Sequence, residues 1–313
     1  MLLLSSLLSS LLMQASFQEQ FSLNAISNNY RRPVIGFADD VAAIGRREVQ
    51  DFFTRHYGPS NLTICIVGDV TPELVQRLAE TYFGGWAPTK SRGILSTFAT
   101  VTLPQMLRGP SSEALPRPAG FASGSPEGTS FRSQARSGPA TLLAYYRPPM
   151  TTPDGVALEV VSELLSGGRT SRLVSELVLP GKVLGASVVA GYPGEKHAGL
   201  SLVYGVPRLG GSLSELEGLL KGCVERVVQE GVSEVELEGV KRASQVSLYS
   251  SLQSNSSMAA VLASYHAIKG SWRGLLTEMD QVQSLTTADC QRVAQQVLLP
   301  ENCFTGYVEP LKA

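Results

Sequence analysis

Histidine is the side chain most often used for metal binding and for proton transfer near neutral pH, and this chain of 313 residues has three. His56, His197 and His266 are separated by 141 and 69 residues, so no two of them can share one helical face as a pair of metal ligands. His56 falls within an amphipathic helical pattern, beside Tyr57. We therefore interpret all three histidines as structural or surface residues.

A second group of residues could bind an anion. Gly167, Gly168 and Arg169 lie between two helical patterns, and the N-terminus of a helix binds anions through its free N–H groups. The same glycine pair is also typical of a helix C-cap followed by a tight turn, and we favour this interpretation. Arg169 and Arg172 could contact the carboxylates of a peptide or a partner domain, but a salt bridge inside the fold is the favoured alternative.

The motifs of several other functional classes are absent from the sequence. There is no GxSxG, no GxxxxGK and no GxGxxG, which argues against a nucleophilic hydrolase, a nucleotide-binding protein and a dinucleotide-binding protein. The formal net charge of -1 provides no basic excess to neutralise phosphates, so we expect no nucleic-acid partner. The four cysteines show no CxxC spacing and are predicted to be reduced core residues.

The first sixteen residues are rich in leucine and serine. The leucines recur at intervals of three and four with serines between them, which predicts an amphipathic helix. A cleaved leader is the alternative, although no Lys or Arg precedes Arg31 to form its positive region. No run reaches the 18 or so continuous apolar residues of a transmembrane helix, so we predict no membrane span.

A helix, a Pro-x-Asn turn and an apolar segment occur twice in the chain, 241 residues apart. Residues 49–68 align with residues 290–309. The aligned pairs are Gln50 with Gln291, Pro59 with Pro300, and Asn61 with Asn302. Pro and Asn are common in turns, so either match alone would be generic, but together they predict two related halves, with Leu62–Val67 as a buried strand. Because the first copy lies only about a sixth of the way along the chain, we expect the first half to lack its beginning.

The remaining patterns predict a domain order. Gly109–Gly138 is rich in Pro, Gly, Ser and Arg and has almost no apolar periodicity, which predicts a linker or a disordered insertion. We predict a first-domain remnant over residues 1–95, a linker over 96–139 and a complete second domain over 140–313. Predicted strands of the second domain are Thr141–Tyr146, Leu184–Tyr192, Gly199–Val206 and Cys303–Val308, and predicted helices cover residues 216–228, 258–268 and 287–298, with a capping box at Ser233 and Glu236. This order indicates an α+β fold in which antiparallel sheets are covered by helices on one side.

Several segments, taken in order, resemble a known family. The runs RRPVIG (31–36), REVQDFFTRHYGPSNLTICIVGDV (47–70) and YFGGW (82–86) resemble the closing part of the first domain of insulinase or pitrilysin-type zinc peptidases, the M16 family. The runs LAYYRPPM (143–150), LLSGGRTSRLVSELV (164–178) and PENCFTGYVEP (300–310) resemble its second domain. The resemblance covers most of the chain outside the linker. It implies homologous α/β-roll domains, here one partial and one complete.

The residues that carry the family's chemistry have no match here. The family binds zinc through an inverted HxxEH motif and a more distant glutamate, which implies ligands upstream of the RRPVIG-like run. Glu19 lies near that region but matches no family motif. The family's substrate-binding Arg–Tyr pair also has no clear match, because Ser201 lies near the expected Arg and Tyr204 precedes Arg208. We assign no catalytic or metal-binding residue; the candidate contacts to a substrate or partner are Gly167, Gly168, Arg169, Arg172 and Tyr204.

The resemblance implies a non-catalytic half, or a truncated form, of an M16-type zinc metalloendopeptidase that is inactive alone. Such a half would form the wall of a peptide chamber opposite a zinc-bearing half or subunit, and the zinc would belong to that partner rather than to this chain. One alternative is a structural or assembly subunit of a larger complex, as some family relatives are in respiratory complexes. A fragment with no independent role is a third. The localisation stays open, and an organelle (chloroplast or mitochondrion) is compatible with the sequence if the source is eukaryotic.

Overall fold

The most apolar runs of the sequence form the centre of a five-stranded sheet. In the computed structural model, which describes residues 36–86, 130–135 and 138–311, the strand order is β1-β5-β2-β4-β3. The strands are β1 (Ser130–Ala135), β2 (Ala140–Arg147), β3 (Val183–Tyr192), β4 (Gly199–Pro207) and β5 (Cys303–Pro310). Every pair is antiparallel except β1 with β5, which is parallel. The predicted α+β class and four of the strands are confirmed.

The central strands β2 and β4 are buried at every residue. Strands that are covered on both faces need apolar side chains at consecutive positions rather than alternating ones, as in the runs TLLAYY and LSLVYGV. Their register pairs Leu143 with Val203 and Tyr145 with Ser201. Arg147, the buried arginine at the end of β2, therefore lies on a strand that is buried along its whole length.

β1 corrects the predicted linker boundary, because it lies inside the range 96–139. Its sequence SFRSQA has no apolar periodicity, so composition alone assigned it to the linker. As an edge strand it needs only small buried side chains on one face, and Ser133 and Ala135 supply them. The sheet is mixed because of this one pair, since β1 runs parallel to β5.

Helices cover one face of the sheet and form the core with it. These are α4 (Pro153–Ser166), α5 (Leu213–Glu230) and α9 (Thr287–Val297), together with a π-helical turn at Val174–Val178. Fully buried residues of this core include Leu143, Val161, Val203, Leu220 and Val293. The helix starts are set by side-chain caps: Thr152, Ser212 and Thr286 each accept a hydrogen bond from the backbone N–H three residues on.

The chain divides into two compact units. Among the described residues, the sheet unit takes 130–135, 138–245 and 277–311, and the helical unit takes 36–86 and 246–276. The predicted second domain, 140–313, stays a prediction; in the structure Val246–Leu276 group with the helical unit. Sequence patterning shows that a helix has an apolar face, but not which unit the face packs against.

The helical unit contains α1 (Ala38–Ala43), α2 (Arg46–His56), α3 (Pro72–Phe83) and α7 (Asn255–Lys269). Two more helices, α6 (Glu234–Ser251) and α8 (Gly274–Ser284), have residues in both units. The predicted N-cap of α3 is confirmed, because Thr71 Oγ1 accepts a hydrogen bond from Leu74 N at 3.2 Å. The predicted helix in residues 1–16, Glu19 and residues 96–129 of the linker lie outside the described residues.

The predicted buried strand Leu62–Val67 is wrong. These residues follow a 3-10 turn at Pro59–Asn61, but within the described part of the chain they pair with no strand. Leu62, Ile64 and Ile66 are 47%, 54% and 52% exposed. A β-branched apolar run has the propensity for a strand, but a strand also needs a neighbour to receive its backbone hydrogen bonds. In the same described residues, none of the helices is both long and apolar enough to cross a bilayer.

Candidate functional site

The predicted anion-binding glycines form the end of α4. Gly167 N donates to Glu163 O at 2.6 Å, which closes the last turn of the helix. Gly168 has φ of +126°, a conformation that favours glycine, and its carbonyl accepts a hydrogen bond from the Ser171 hydroxyl at 2.7 Å. The pair is thus a helix C-cap followed by a turn, the geometry that the sequence favoured over an anion site.

Arg172 fixes this turn to the start of α6. Its Nε and Nη2 donate to the two carboxylate oxygens of Glu236 at 2.8 and 3.0 Å, and Nη2 also donates to Gly231 O at 2.8 Å. Glu236 completes the predicted capping box as well, since it accepts from Ser233 N at 2.9 Å. The hydrogen bonds from Arg172, followed by those from Ser233, lower the pKa of Glu236 to about 2.

The other candidate contact residues lie apart from this clamp. Arg169 is exposed in the turn that follows α4. Tyr204 is buried at the centre of β4, opposite Leu142 and Ser187, and burial raises the pKa of its hydroxyl. The exposed Arg208 forms an ion pair with Glu215 at 3.3 Å. A role for Arg169 and Tyr204 in substrate or partner binding stays a prediction.

The described residues do not form a zinc site. No group of three or more His, Cys, Asp or Glu side chains in residues 36–86, 130–135 and 138–311 is arranged to hold a metal ion. His56 ends α2 with its ring 4.5 Å from that of Phe52, His266 lies in α7, and His197 lies in the β3–β4 connection, where burial lowers its pKa. The donor set that zinc prefers in proteases is thus not assembled here.

A buried ion pair lies at the end of β2 in the sheet unit. The Arg147 side chain is 1% exposed, and its Nη1 lies 3.6 Å from Glu159 Oε2 on α4. Nε donates to Pro148 O at 3.2 Å and Nη1 donates to the carbonyl of Ala190 on β3. Among the described residues, neither Arg147 Nη2 nor Glu159 Oε2 has a hydrogen-bond partner.

Burial dominates the electrostatics of this pair. It raises the pKa of Glu159 to about 7, against the attraction of Arg147, which lowers it, and nearby carboxylates including Glu195 add to the increase. Burial also lowers the pKa of Arg147. The pair therefore combines a desolvated cation with a carboxyl group that can exchange a proton near neutral pH, a combination found at functional sites and in structural ion pairs alike.

The run LAYYRPPM contributes to the family resemblance, but its arginine was not among the predicted site residues. The available signal was Arg147 itself, a charge at the end of an otherwise apolar strand. Glu159 gave no signal, because a glutamate in an amphipathic helix is ordinarily a solvent-facing residue. Only the packing of α4 on β2 brings the two together.

A second polar cluster fastens α5 to β5. Glu217 accepts hydrogen bonds from the Tyr307 hydroxyl at 2.5 Å and from the Thr305 hydroxyl at 3.3 Å, and it pairs with Lys221 at 2.7 Å. Burial and the Glu217 carboxylate raise the pKa of Tyr307 to about 12. Each polar group has a partner in the fold, which identifies the cluster as a structural network.

Comparison with known proteins places this geometry in a family. The model of the family described as the peptidase M16 inactive domain matches residues 43–244. The chain belongs to this family. The match spans parts of both units, including α2, the C-cap at Gly167 and the Arg172 clamp, and the predicted resemblance to M16 peptidases is confirmed.

Individual relatives agree with the family assignment. The zinc protease PqqE of Helicobacter pylori is 23% identical over 291 residues, which are 93% of this chain and 61% of that protein. The crystal structure of a protease from Helicobacter pylori has a TM-score of 0.75 at 20% identity, covering 98% of this chain and 70% of the other. A peptidase M16 inactive domain from Pseudomonas fluorescens gives 0.70 at 19% identity, covering 99% and 70%. The chain thus spans about three fifths of the length of PqqE, and the structural matches support the fold.

Proposed function

We propose that this chain is the non-catalytic half of an M16-type zinc endopeptidase and forms the wall of a peptide chamber opposite a zinc-bearing half. The match of residues 43–244 to the inactive-domain family carries the proposal. The relative PqqE, whose alignment covers 93% of this chain, is named a zinc protease, and the alignment covers 61% of PqqE. The zinc would then be held by the partner.

The number of potential zinc ligands in this sequence supports the proposal that the partner, and not this chain, holds the zinc. A catalytic zinc site takes three protein ligands at about 2.0–2.2 Å, commonly starting from a histidine pair on one helical face. The three histidines of this chain offer no such pair. Within the proposal, the work of this chain is to enclose and orient a peptide, which helps catalysis by positioning and by excluding water.

Metal analysis and peptidase assays test the proposal. We expect the purified chain to hold no stoichiometric zinc and to leave a fluorogenic peptide library intact. Mixing it with an HxxEH-bearing M16 protein from the same source should produce hydrolysis that neither protein shows alone. The matched control is the same partner with the glutamate of its HxxEH motif replaced by glutamine, which should assemble but not cleave.

Two results would overturn the proposal. One zinc per chain, or chelator-sensitive hydrolysis by the chain alone, would mean that the chain has its own catalytic site. Stable association with a larger complex that contains no peptidase activity would instead favour the structural or assembly role.

A further inference from the structure

One guanidinium group fixes the end of β2 to the end of β3. Arg147 Nε donates to Pro148 O at 3.2 Å, and Nη1 donates to the carbonyl of Ala190. The β3–β4 ladder shifts register between Val189 and Tyr192, so Ala190 lies at an irregularity of the strand. The hydrogen bond from Arg147 therefore fixes a part of β3 where the pairing with β4 is irregular.

The same guanidinium packs tightly against the connection between β3 and β4. A Cβ added at Gly191 would lie 3.0 Å from Arg147 Nη1 and 2.8 Å from Glu195 Cγ. Glu195 belongs to the β3–β4 turn, and its backbone carbonyl accepts a hydrogen bond from Met150 N at 3.0 Å. Because the groups are closely packed, a movement of the guanidinium must be accompanied by a movement of the turn.

The ion pair between Arg147 and Glu159 lacks a hydrogen bond. Its closest atoms, Arg147 Nη1 and Glu159 Oε2, are 3.6 Å apart, whereas a charge-assisted N–H···O bond is about 2.7–2.9 Å long. Arg147 Nη2 and Glu159 Oε2 are both buried, and within the described residues neither has a hydrogen-bond partner. A buried donor and a buried acceptor are thus left unpaired on neighbouring groups, which is unfavourable. The observed arrangement satisfies two backbone carbonyls and leaves the carboxyl group unsatisfied.

A second arrangement of the same groups would satisfy the carboxyl group instead. If the guanidinium moved towards α4 by about 0.7–0.9 Å, one of its nitrogens would come within hydrogen-bond distance of Glu159 Oε2. The two arrangements compete, because the nitrogen that bonds Ala190 is also the one nearest to the carboxyl group. A neutral carboxyl group attracts a guanidinium weakly, whereas a carboxylate attracts it strongly in a site with little water. The proton on Glu159 therefore selects between the two arrangements.

We propose that binding of a proton to Glu159 closes the β3–β4 turn and that its release opens it. With the proton bound, Arg147 holds the Ala190 carbonyl and the turn is fixed. When the proton passes to solvent, Arg147 forms a hydrogen-bonded pair with the carboxylate, releases Ala190 and loosens the turn. Arg147 keeps its own charge in both arrangements. This inference concerns a conformational device within the sheet unit, and it does not depend on the proposed chamber role.

The surroundings of Glu159 support a change of charge near neutral pH. Burial raises its pKa to about 7, against the attraction of Arg147, and its side chain is 30% exposed, so the proton can exchange with solvent. Carboxylates of the β3–β4 turn, α4 and α8 add to the increase: Glu195, Glu163 and Glu278. β3 packs on α4 and has no charged residue, while α9 directs Arg292 to Asp154, 2.8 Å away at the start of α4.

Amide hydrogen exchange in the whole chain tests the proposal, because the Met150 amide reports on the turn through its hydrogen bond to Glu195 O. Dividing the intrinsic rate at each pH by the measured rate gives a protection factor. We expect that of Met150 to fall at least about fivefold between pH 6 and pH 8. The amide of Gly211, which donates to Arg208 O at 2.8 Å in the β4–α5 connection, is the matched control and should keep a constant protection factor.

Three variants identify the group that titrates. Glu159→Gln cannot ionise, so Met150 should stay protected at pH 8. Glu163→Gln removes a neighbouring negative charge that raises the pKa of Glu159, so the transition should remain but move to lower pH. His197→Gln removes the histidine of the same turn, whose own pKa is lowered by burial, and should leave the transition unchanged.

Crystal structures at pH 6 and pH 8.5 provide a direct readout. At the higher pH, an Arg147 nitrogen should lie about 2.7–2.9 Å from Glu159 Oε2, and the hydrogen bond to Ala190 O should be absent. The same arrangement at both pH values would overturn the proposal. So would a Met150 protection factor that is independent of pH, a transition that survives in Glu159→Gln, or one that disappears in His197→Gln. A parallel loss of protection at Gly211 would mean that the opening is not confined to the turn, which also contradicts the proposal.

Discussion

Replacement of Arg172 by alanine should cost the protein about 2 kcal/mol of unfolding free energy at pH 7. The change removes two charge-assisted hydrogen bonds to Glu236 and leaves the buried carbonyl of Gly231 without its donor. The pKa of Glu236 sets a limit on the part of this loss that involves the Glu236 carboxylate. A decrease from 4.5 to about 2 corresponds to about 3 kcal/mol from all causes. The hydrogen bonds from Ser233 survive the substitution and the Glu236 side chain is 31% exposed, so the share of Arg172 is smaller than this limit.

The effect should depend on pH with a defined sign. Because the pKa of Glu236 is lower in the folded state than in the unfolded state, its contribution is fully present above about pH 4.5 and is lost as pH falls towards 2. The difference between wild type and Arg172→Ala should therefore be constant from pH 7 to pH 5 and shrink below pH 4.5. Urea unfolding followed by far-UV circular dichroism at a series of pH values measures it.

Two further variants distinguish geometry from charge. Arg172→Lys keeps the positive charge but not the planar fork, so it should recover no more than about half of the loss. Arg208→Ala is the matched control, because its ion pair with Glu215 is exposed, 55% and 47% for the two side chains, and should be worth less than about 0.5 kcal/mol. Equal effects of Arg172→Ala and Arg208→Ala, or a loss that persists unchanged at pH 3, would refute the reasoning.

Two other predictions concern the sheet unit. Because burial raises the pKa of Glu159 from 4.5 to about 7, the folded state retains a proton that the unfolded state releases, so the unfolding free energy should fall as pH rises from about 4.5 to 7. Glu159→Gln should remove this slope, of at most about 2 kcal/mol given the 30% exposure of the side chain, in urea titrations across that range. In Gly218→Ala the new Cβ meets no atom within 4 Å, so the substitution should stabilise α5 by about 0.5–1 kcal/mol. In Gly155→Ala the new Cβ would lie 2.1 Å from Pro149 O, so this substitution should destabilise the protein by about 1–3 kcal/mol. Thermal unfolding of both variants checks the opposite signs.

Features that depend on short-range order along the chain could be predicted without the structure. The strands β2, β3, β4 and β5, the capping box at Ser233 and Glu236, and the glycine C-cap at Gly167 were all predictable, because apolar periodicity and capping chemistry act over a few residues. The family was predictable for a related reason. Several short motifs in a fixed order identify it, and their order does not depend on knowing which residues touch.

Features that need a partner distant in sequence became visible only in the folded chain. β1 is a strand because β5 lies beside it, although its own sequence has no strand pattern. Leu62–Val67 has that pattern and yet forms no strand, because a strand is completed by the hydrogen bonds of a neighbour. Glu159 has its raised pKa because α4 packs against the end of β2 beside Arg147. Each of these features depends on a hydrogen-bond partner or on the loss of water around a charge. Both require two segments that lie far apart in the sequence or on separate elements, and only the fold brings such segments together.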